Sequence, residues 1–496
     1  MPFAWAVFNE EDIMAVLKGL KPEKVFEFFE YLCSVPHGSG NTKQISDLCV
    51  RFAEERGLRY VQDSYNNVII WKDATPGYEN AEPLIFQGHI DMVCASEPDC
   101  GIDMATEPIR LVVDGDWVKA DKTSLGADNG IGAALAMALL DDETLKHPKL
   151  EVVLTTDEET GMFGADGIDL SVLEGRRLIN LDSEEEGYLT VSCAGGIRAD
   201  CVFPAEWEAA PAGMRFYEVT VDGLKGGHSG AEIDKGRANA NRIMGRFLYR
   251  AAWTTGLRLV SVNGGSFPNV ISLCCRAVVA VPEDKARGFE KMCASDEAMF
   301  RHEYAAADPG LRLKAAPAAT AERVFSAERT KALLDMLMLA PNGVRAMSMD
   351  IPGLVQTSLN LGVIETGEEG AVLYFLLRSA IQSQKDQLAA ELEALCGLLG
   401  ASYATHDAYP AWEYRRESDL RDALSDACEK VLGQKPEITA THGGLECGLF
   451  MDKRPDFDCV SIGPELHEVH SVRERLSIAS TERLYHILRT FVENWK

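Results

Sequence analysis

Leu84-Ile85-Phe86-Gln87-Gly88-His89-Ile90-Asp91-Met92 is the stretch whose reading decides the fold. Leu84 to Phe86 is an apolar run of the kind that makes a buried strand. It passes through Gly88 into His89 and Asp91. In extended backbone, residues i and i+2 point to the same side. His89 and Asp91 therefore share one face where the strand ends. That suits a metal-ligating imidazole with a carboxylate beside it to fix its tautomer. It equally suits a plain hydrogen-bonded pair, so the rest of the chain decides.

Three further segments end in the same manner. Leu150 to Thr156 reads as a strand running into Asp157-Glu158-Glu159-Thr160-Gly161. Arg177 to Asn180 runs into Leu181-Asp182, and Phe457 to Ile462 into Gly463-Pro464 and a loop with His467 and His470. His467-Glu468-Val469-His470 lacks the spacing of a zinc-binding helix, so a loop with at most one ligand is expected. The run Asp157 to Glu159 reads as a solvated turn or as a cation site. Ser124 to Gly132 opens the apolar helix Ala133 to Leu140, and its glycines do not keep dinucleotide spacing. Asp128 there is either a helix N-cap or a ligand.

Strands and helices alternate over 50–185 and again over 413–496. This predicts an α/β domain with a mainly parallel sheet flanked by helices. In such sheets ligands gather beyond the carboxyl ends of strands, where His89, Asp91, Glu158, Glu159, Asp182 and His470 all fall. The texture changes between, with alternating strands at Phe216 to Val221, Val270 to Val281 and Ala371 to Leu377 and a helix at Lys385 to Leu399. The expected organisation is an α/β domain in two parts, 1–187 and 413–496, with an inserted α+β domain over 188–412. Ala305 to Ala321, rich in Ala and Pro, reads as a mobile loop or irregular link. Residues 11–33 and 42–56 read as helices. His37, in the Pro36 to Asn41 loop, reads as solvated.

Composition sets bounds. A chain of 496 residues is too long for one core. Its net charge of −28 disfavours nucleic acid and anionic membrane surfaces, which need basic patches. Met1 to Asn9 is apolar but lacks a basic flank and cleavage site, so no signal peptide is read. No run reaches the roughly 20 apolar residues of a membrane span. Thirteen scattered cysteines without a Cys-x-x-Cys pair suggest free thiols in a reducing cytoplasm.

His89, Asp128, Glu159, Asp182 and His470 form a ligand set of nitrogen and oxygen donors. Such a set suits zinc, and also manganese or cobalt. Three carboxylates overbalance one divalent ion. Against two they leave one positive charge, which a bridging hydroxide cancels. The set therefore argues for two divalent ions roughly 3.5–4 Å apart with one carboxylate shared. Asp128, on its Gly-rich turn, is the bridging candidate. Glu158 is left as general base for the attacking water.

Six motifs now stand together: Gln87-Gly88-His89-Ile90-Asp91-Met92, Leu125-Gly126-Ala127-Asp128-Asn129-Gly130, Asp157-Glu158-Glu159-Thr160-Gly161-Met162, Asn180-Leu181-Asp182-Ser183-Glu184-Glu185, Gly226-Gly227-His228-Ser229-Gly230 and Gly444-Leu445-Glu446-Cys447-Gly448. In this order the chain resembles the aminoacyl-histidine dipeptidases, or cytosolic non-specific dipeptidases, within the dinuclear-zinc peptidases that include carnosinases. The resemblance implies hydrolysis of dipeptides, Xaa-His or broader. It implies one zinc on His89 and Asp182, the other on Glu159 and His470, with Asp128 bridging, Asp91 supporting His89, and Glu158 as base. It further implies that the α/β domain is the catalytic domain and the inserted α+β domain a lid, and that His228 donates to the oxyanion, often from a partner subunit in a homodimer formed through that lid. Arg378 would hold the substrate carboxylate, its alternative being a surface salt bridge. Asn269 and Glu446 complete the substrate-binding candidates.

Two positions depart from the family pattern. Asn269-Val270-Ile271-Ser272-Leu273 stands where Asn-x-Ile-Pro-Arg is usual, which bears on substrate choice. His470-Ser471-Val472 stands where His-Ser-Pro is usual, which bears on loop stiffness. An N-acyl amino acid deacylase is the nearest alternative on this scaffold. A dinuclear phosphoesterase and a non-catalytic binding protein lie further off.

Overall fold

Three central strands of the first sheet are rich in apolar residues and buried along their whole length. Leu150–Thr155, Leu84–His89 and Asp458–Ser461 have no exposed residue. Continuous apolar runs of this kind belong to sheets covered on both sides. In the computed structural model, which describes residues 16–496, they sit in an eight-stranded sheet. Its order is Arg59–Gln62, Val68–Lys72, Leu150–Thr155, Leu84–His89, Arg177–Asn180, Asp458–Ser461, Tyr188–Cys193, Glu437–Thr441. The four middle strands, from Leu150–Thr155 to Asp458–Ser461, pair in parallel. The flanking pairs through Val68–Lys72 and Thr190 are antiparallel. The sheet is thus mixed, with its parallel strands at the centre.

The chain divides into two compact units: Met1–Val191 with Tyr414–Ala440 and Leu449–Lys496, and Ser192–Glu413 with Thr441–Gly448. The stretch Thr441–Gly448, expected in the catalytic domain, clusters with the inserted unit. In the first unit the helix Ala127–Asp141 is buried from Ala127 to Leu140. A helix apolar all round is a core helix. It packs against helix Glu23–Cys33 and strand Leu84–His89. A smaller sheet, ordered Leu466–His467, Arg475–Ser477, Trp117–Ala120, Leu111–Asp114, holds the two ends of the loop bearing His470.

The second unit is built on a nine-stranded sheet whose registered pairings are all antiparallel. It holds two β-α-β-β-α-β motifs. One runs Met214–Asp222, Ala240–Thr255, Arg258–Gly264, Cys275–Pro282, Ala286–Glu303, Arg312–Pro317. The other runs Gly195–Pro204, Ala327–Leu339, Val355–Gly367, Gly370–Ser379, Gln382–Leu399, Ser402–Tyr409. Each has its strands in the order fourth, first, third, second, and the two second strands meet at Gly264 and Ile364. The four helices and the sheet close on one apolar core, including Phe247, Phe289, Leu333, Phe375 and Leu392.

Several expectations are corrected. Arg312–Pro317, within the segment read as a loop, is an edge strand pairing with Met214–Asp222. Its Ala and Pro content fits an edge, where a missing N–H costs nothing. The strand expected from Val270 begins at Cys275. The first helix begins at Glu23, and the part of it expected before Val16 lies outside the described residues, as does Met1 to Asn9. His37 is buried, not solvated, with Nδ1 2.8 Å from the Val35 carbonyl. All thirteen cysteines are free, ten of them buried. Among the described residues no helix is long and apolar enough to cross a membrane.

Candidate metal centre

At the carboxyl end of Leu84–His89, the ring of His89 is held through Nδ1. That atom lies 3.0 Å from the Asp91 main-chain carbonyl and 3.4 Å from its carboxylate. Both are acceptors, so Nδ1 carries a proton and Nε2 is the atom turned toward the other carboxylates. Nε2 faces Asp128 Oδ1 at 3.2 Å and Asp182 Oδ1 at 3.4 Å. The other oxygen of Asp128, Oδ2, lies 3.0 Å from His470 Nε2, and Glu159 Oε1 lies 2.9 Å from that same nitrogen. One carboxylate thus stands between two imidazoles, an oxygen toward each. His89 with Asp128 and Asp182, and His470 with Asp128 and Glu159, each form a group close enough to hold a cation. A third such group joins Glu158 to His89 and Glu159.

Local sequence produces this placement. The Asp128 turn precedes the regular part of its helix, since Asp128 and Asn129 have non-helical backbone. The Asn129 amide donates to the Leu181 carbonyl at 2.6 Å. A Cβ on Gly88 or Gly132 would meet Asn129 Oδ1 at 2.3 Å. Those two glycines therefore let strand, helix and Asn129 close together. Asp157 and His470 lie in the left-handed region, at φ 55° and 59°. Such backbone is uncommon outside glycine and concentrates at functional sites. The Asp91 carboxylate accepts from Ser39 Oγ at 2.8 Å and from the main-chain N–H of Glu158 at 3.1 Å.

The charges do not balance within the protein. Among the described residues, no Lys or Arg pairs with Asp128, Glu159 or Asp182. Burial and the neighbouring Asp128 and Glu159 push Asp182 up to about 7, against the pull of His89. Burial opposes a charge on His89, but Asp182, Asp128 and Asp91 outweigh it and raise its pKa well above the ordinary value. Hydrogen bonding to Asp128 and Glu159 raises His470 to about 11. Glu159 Oε1 is buried and lies 2.9 Å from His470 Nε2. Buried carboxylates with no fixed cation are costly. Carboxylates and imidazoles crowded in this way, with no Lys or Arg paired to Asp128, Glu159 or Asp182 among the described residues, are donors that suit divalent cations.

The second unit holds the remaining candidates. His228 Nδ1 accepts from the main-chain N–H of Ala231 at 3.1 Å and Gly230 at 3.3 Å. Its proton therefore sits on Nε2, which is a donor. Asn269 lies alongside, its carbonyl accepting from Ser229 N at 2.9 Å. Arg378 is buried inside its strand, not at a surface salt bridge. Its Nη1 donates to Tyr409 Oη at 2.8 Å, Nε has no partner, and no carboxylate pairs with it among the described residues. Glu446 is fully buried at the start of its helix. His467 belongs to none of the metal-ligand groups; its Nε2 lies 3.1 Å from Glu465, and its ring is tilted at 51° to that of Trp117. Two residues were not singled out in the sequence. His442 Nε2 lies 2.7 Å from Ser358 Oγ, and Tyr409 meets Arg378. Neither carries a local spacing signal, because each partner is distant in sequence.

A profile of peptidase family M20/M25/M40 matches residues 85–494. The chain belongs to this family. Among M20/M25/M40 relatives, it is 38% identical over 475 residues to the cytosol non-specific dipeptidase of Escherichia coli, covering 96% of this chain and 98% of that protein. It is also similar to the solved aminoacylhistidine dipeptidase of Vibrio alginolyticus, at 37% identity and a TM-score of 0.92, covering 97% and 98% of the two chains. The solved aminopeptidase PepT of Bacillus cereus is similar in fold at 15% identity, with a TM-score of 0.56 and coverage of 96% of this chain and 98% of that one. The chain is thus a hydrolase of the peptidase class.

Proposed function

We propose that this chain is a dipeptidase working with two divalent cations, zinc first, with manganese or cobalt as the other ions its donors suit. The observation carrying this is the Asp128 carboxylate, 3.2 Å from His89 Nε2 and 3.0 Å from His470 Nε2. His89 and Asp182 would hold one cation, Glu159 and His470 the other, and Asp128 both. When bound, such cations polarise the scissile carbonyl and lower the pKa of the attacking water.

The chain's own groups do the rest. Asp91 keeps the His89 proton on Nδ1. Glu158 takes the proton of the attacking water and returns it to the leaving amine. Its carboxylate offers an oxygen within 4.8 Å of the donor atoms of His89 and Glu159. The Nε2–H of His228 donates to the developing oxyanion, which is electrostatic stabilisation by a preset donor. The Arg378 guanidinium takes the substrate carboxylate in a charge-assisted pair. Asn269 and Glu446 belong to the substrate-binding part of this reading, Glu446 as a buried support. A homodimer through the second unit is a separate proposal, tested by sedimentation. The free thiols suit a cytoplasmic setting.

The test is a panel of free dipeptides, the same dipeptides amidated at the C-terminus, tetrapeptides, and N-acyl amino acids, with each metal added. Free dipeptides should be cleaved and the amidated and longer peptides poorly. Preference for N-acyl amino acids would favour the deacylase reading.

A further inference from the structure

Two loops carry Asp128 and His470, and one side chain ties them together. Glu474 is 3% exposed. Its Oε2 accepts from the main-chain N–H of Leu125 at 2.8 Å and Gly126 at 3.1 Å. Its Oε1 accepts from Ala127 at 2.8 Å and Asp128 at 3.2 Å. Four successive N–H groups converge on one carboxylate because Gly126, at φ 70°, curls the turn inward. Among the described residues no Lys or Arg pairs with Glu474, so these dipoles alone compensate its charge.

Glu474 is fixed from its own side as well. Its main-chain N–H donates to the Ser471 carbonyl at 3.1 Å, closing the turn just after His470. The next residues, Arg475–Ser477, pair with Trp117–Ala120 in the small sheet. The main chain of Glu474 thus sets His470, and its side chain sets Asp128. An ordinary helix N-cap satisfies one or two N–H groups and needs only local sequence. This one spans 346 residues to reach Asp128.

We infer that Glu474 is a positioning residue that fixes the separation of Asp128 from His470, and with it the paired binding of cations. This rests on the metal-centre reading proposed above. Glu474→Gln keeps the size but replaces an accepting oxygen with an amide donor facing N–H groups. Glu474→Asp keeps the charge with a shorter reach.

The experiment titrates the metal-free full chain and both variants with Co²⁺. It follows visible absorption, ions bound per chain and chelator competition, with thermal unfolding of the metal-free proteins alongside. Wild type should bind two ions. Glu474→Gln should lose about 10–100-fold in affinity for at least one ion, the range seen when groups behind metal ligands are removed, with a changed Co²⁺ spectrum. Glu474→Asp should recover part of both. Wild-type affinity and spectrum in Glu474→Gln would overturn the inference even if its melting temperature falls, leaving a plain structural cap. If Glu474→Gln does not fold, a wild-type spectrum and affinity in Glu474→Asp overturns it equally. Wild-type protein binding fewer than two ions would overturn the metal-centre reading itself.

Discussion

The Asp91 carboxylate accepts the main-chain N–H of Glu158 at 3.1 Å, so the residue that orients His89 also anchors the run Asp157 to Glu159. Two neighbouring parallel strands are locked at their carboxyl ends by a single side chain. Asp91→Asn keeps one acceptor and sets an amide against donors. It should weaken metal binding by about 10–100-fold, read by chelator competition. Unchanged affinity would mean that the second strand end is held without Asp91.

Glu158 and Glu159 are adjacent but should separate cleanly on substitution. Glu158→Gln should lower kcat by about 10²–10⁴-fold, the usual worth of a base, with metal content intact. Glu159→Gln should lose metal first. Metal analysis beside steady-state kinetics on both variants checks the assignment, and the reverse pattern would exchange their roles.

His228 has its tautomer set by two main-chain donors on Nδ1. His228→Ala should cost about 10²–10³-fold in kcat, as for loss of one oxyanion donor, and should leave metal content alone. Mixed dimers of Glu158→Gln and His228→Ala chains should recover no activity if the donor acts within one chain. Recovery in demonstrated heterodimers would place the donor in the partner.

His442 gives a pH signature of the second unit. Burial and the charge of Arg378 push its pKa down to about 3 from 6.5. The folded ring stays neutral where the unfolded chain binds a proton. Its contribution is therefore complete above about pH 6.5 and is lost as pH falls toward 3. The slope from one such proton is about 1.4 kcal/mol per pH unit. Urea unfolding of metal-free protein between those limits should show a shallower loss in His442→Asn. An unaltered slope would mean that His442 is protonated in the fold.

The parts of the site that were legible in the sequence are those whose signal is local. A buried apolar run ending in His89, and acids placed just past two other such runs, need no tertiary knowledge to read. The contacts that shape them are not local. Asp91 reaches Glu158 across 67 residues, and Glu474 reaches the Asp128 turn across some 350. Arg378 was named only through the family likeness, and its burial was not legible, because nothing nearby in sequence reveals Tyr409. Arg312–Pro317 was missed because Ala and Pro carry little strand signal, and the sheet edge alone gives the segment its order.

The most direct measurement loads metal-free protein stepwise with Zn²⁺ or Mn²⁺ and follows cleavage of a free dipeptide against ions bound per chain. Activity should rise to a plateau at two ions per chain and vanish on chelation. Full activity with one ion or none, or no cleavage at any loading, would contradict the account.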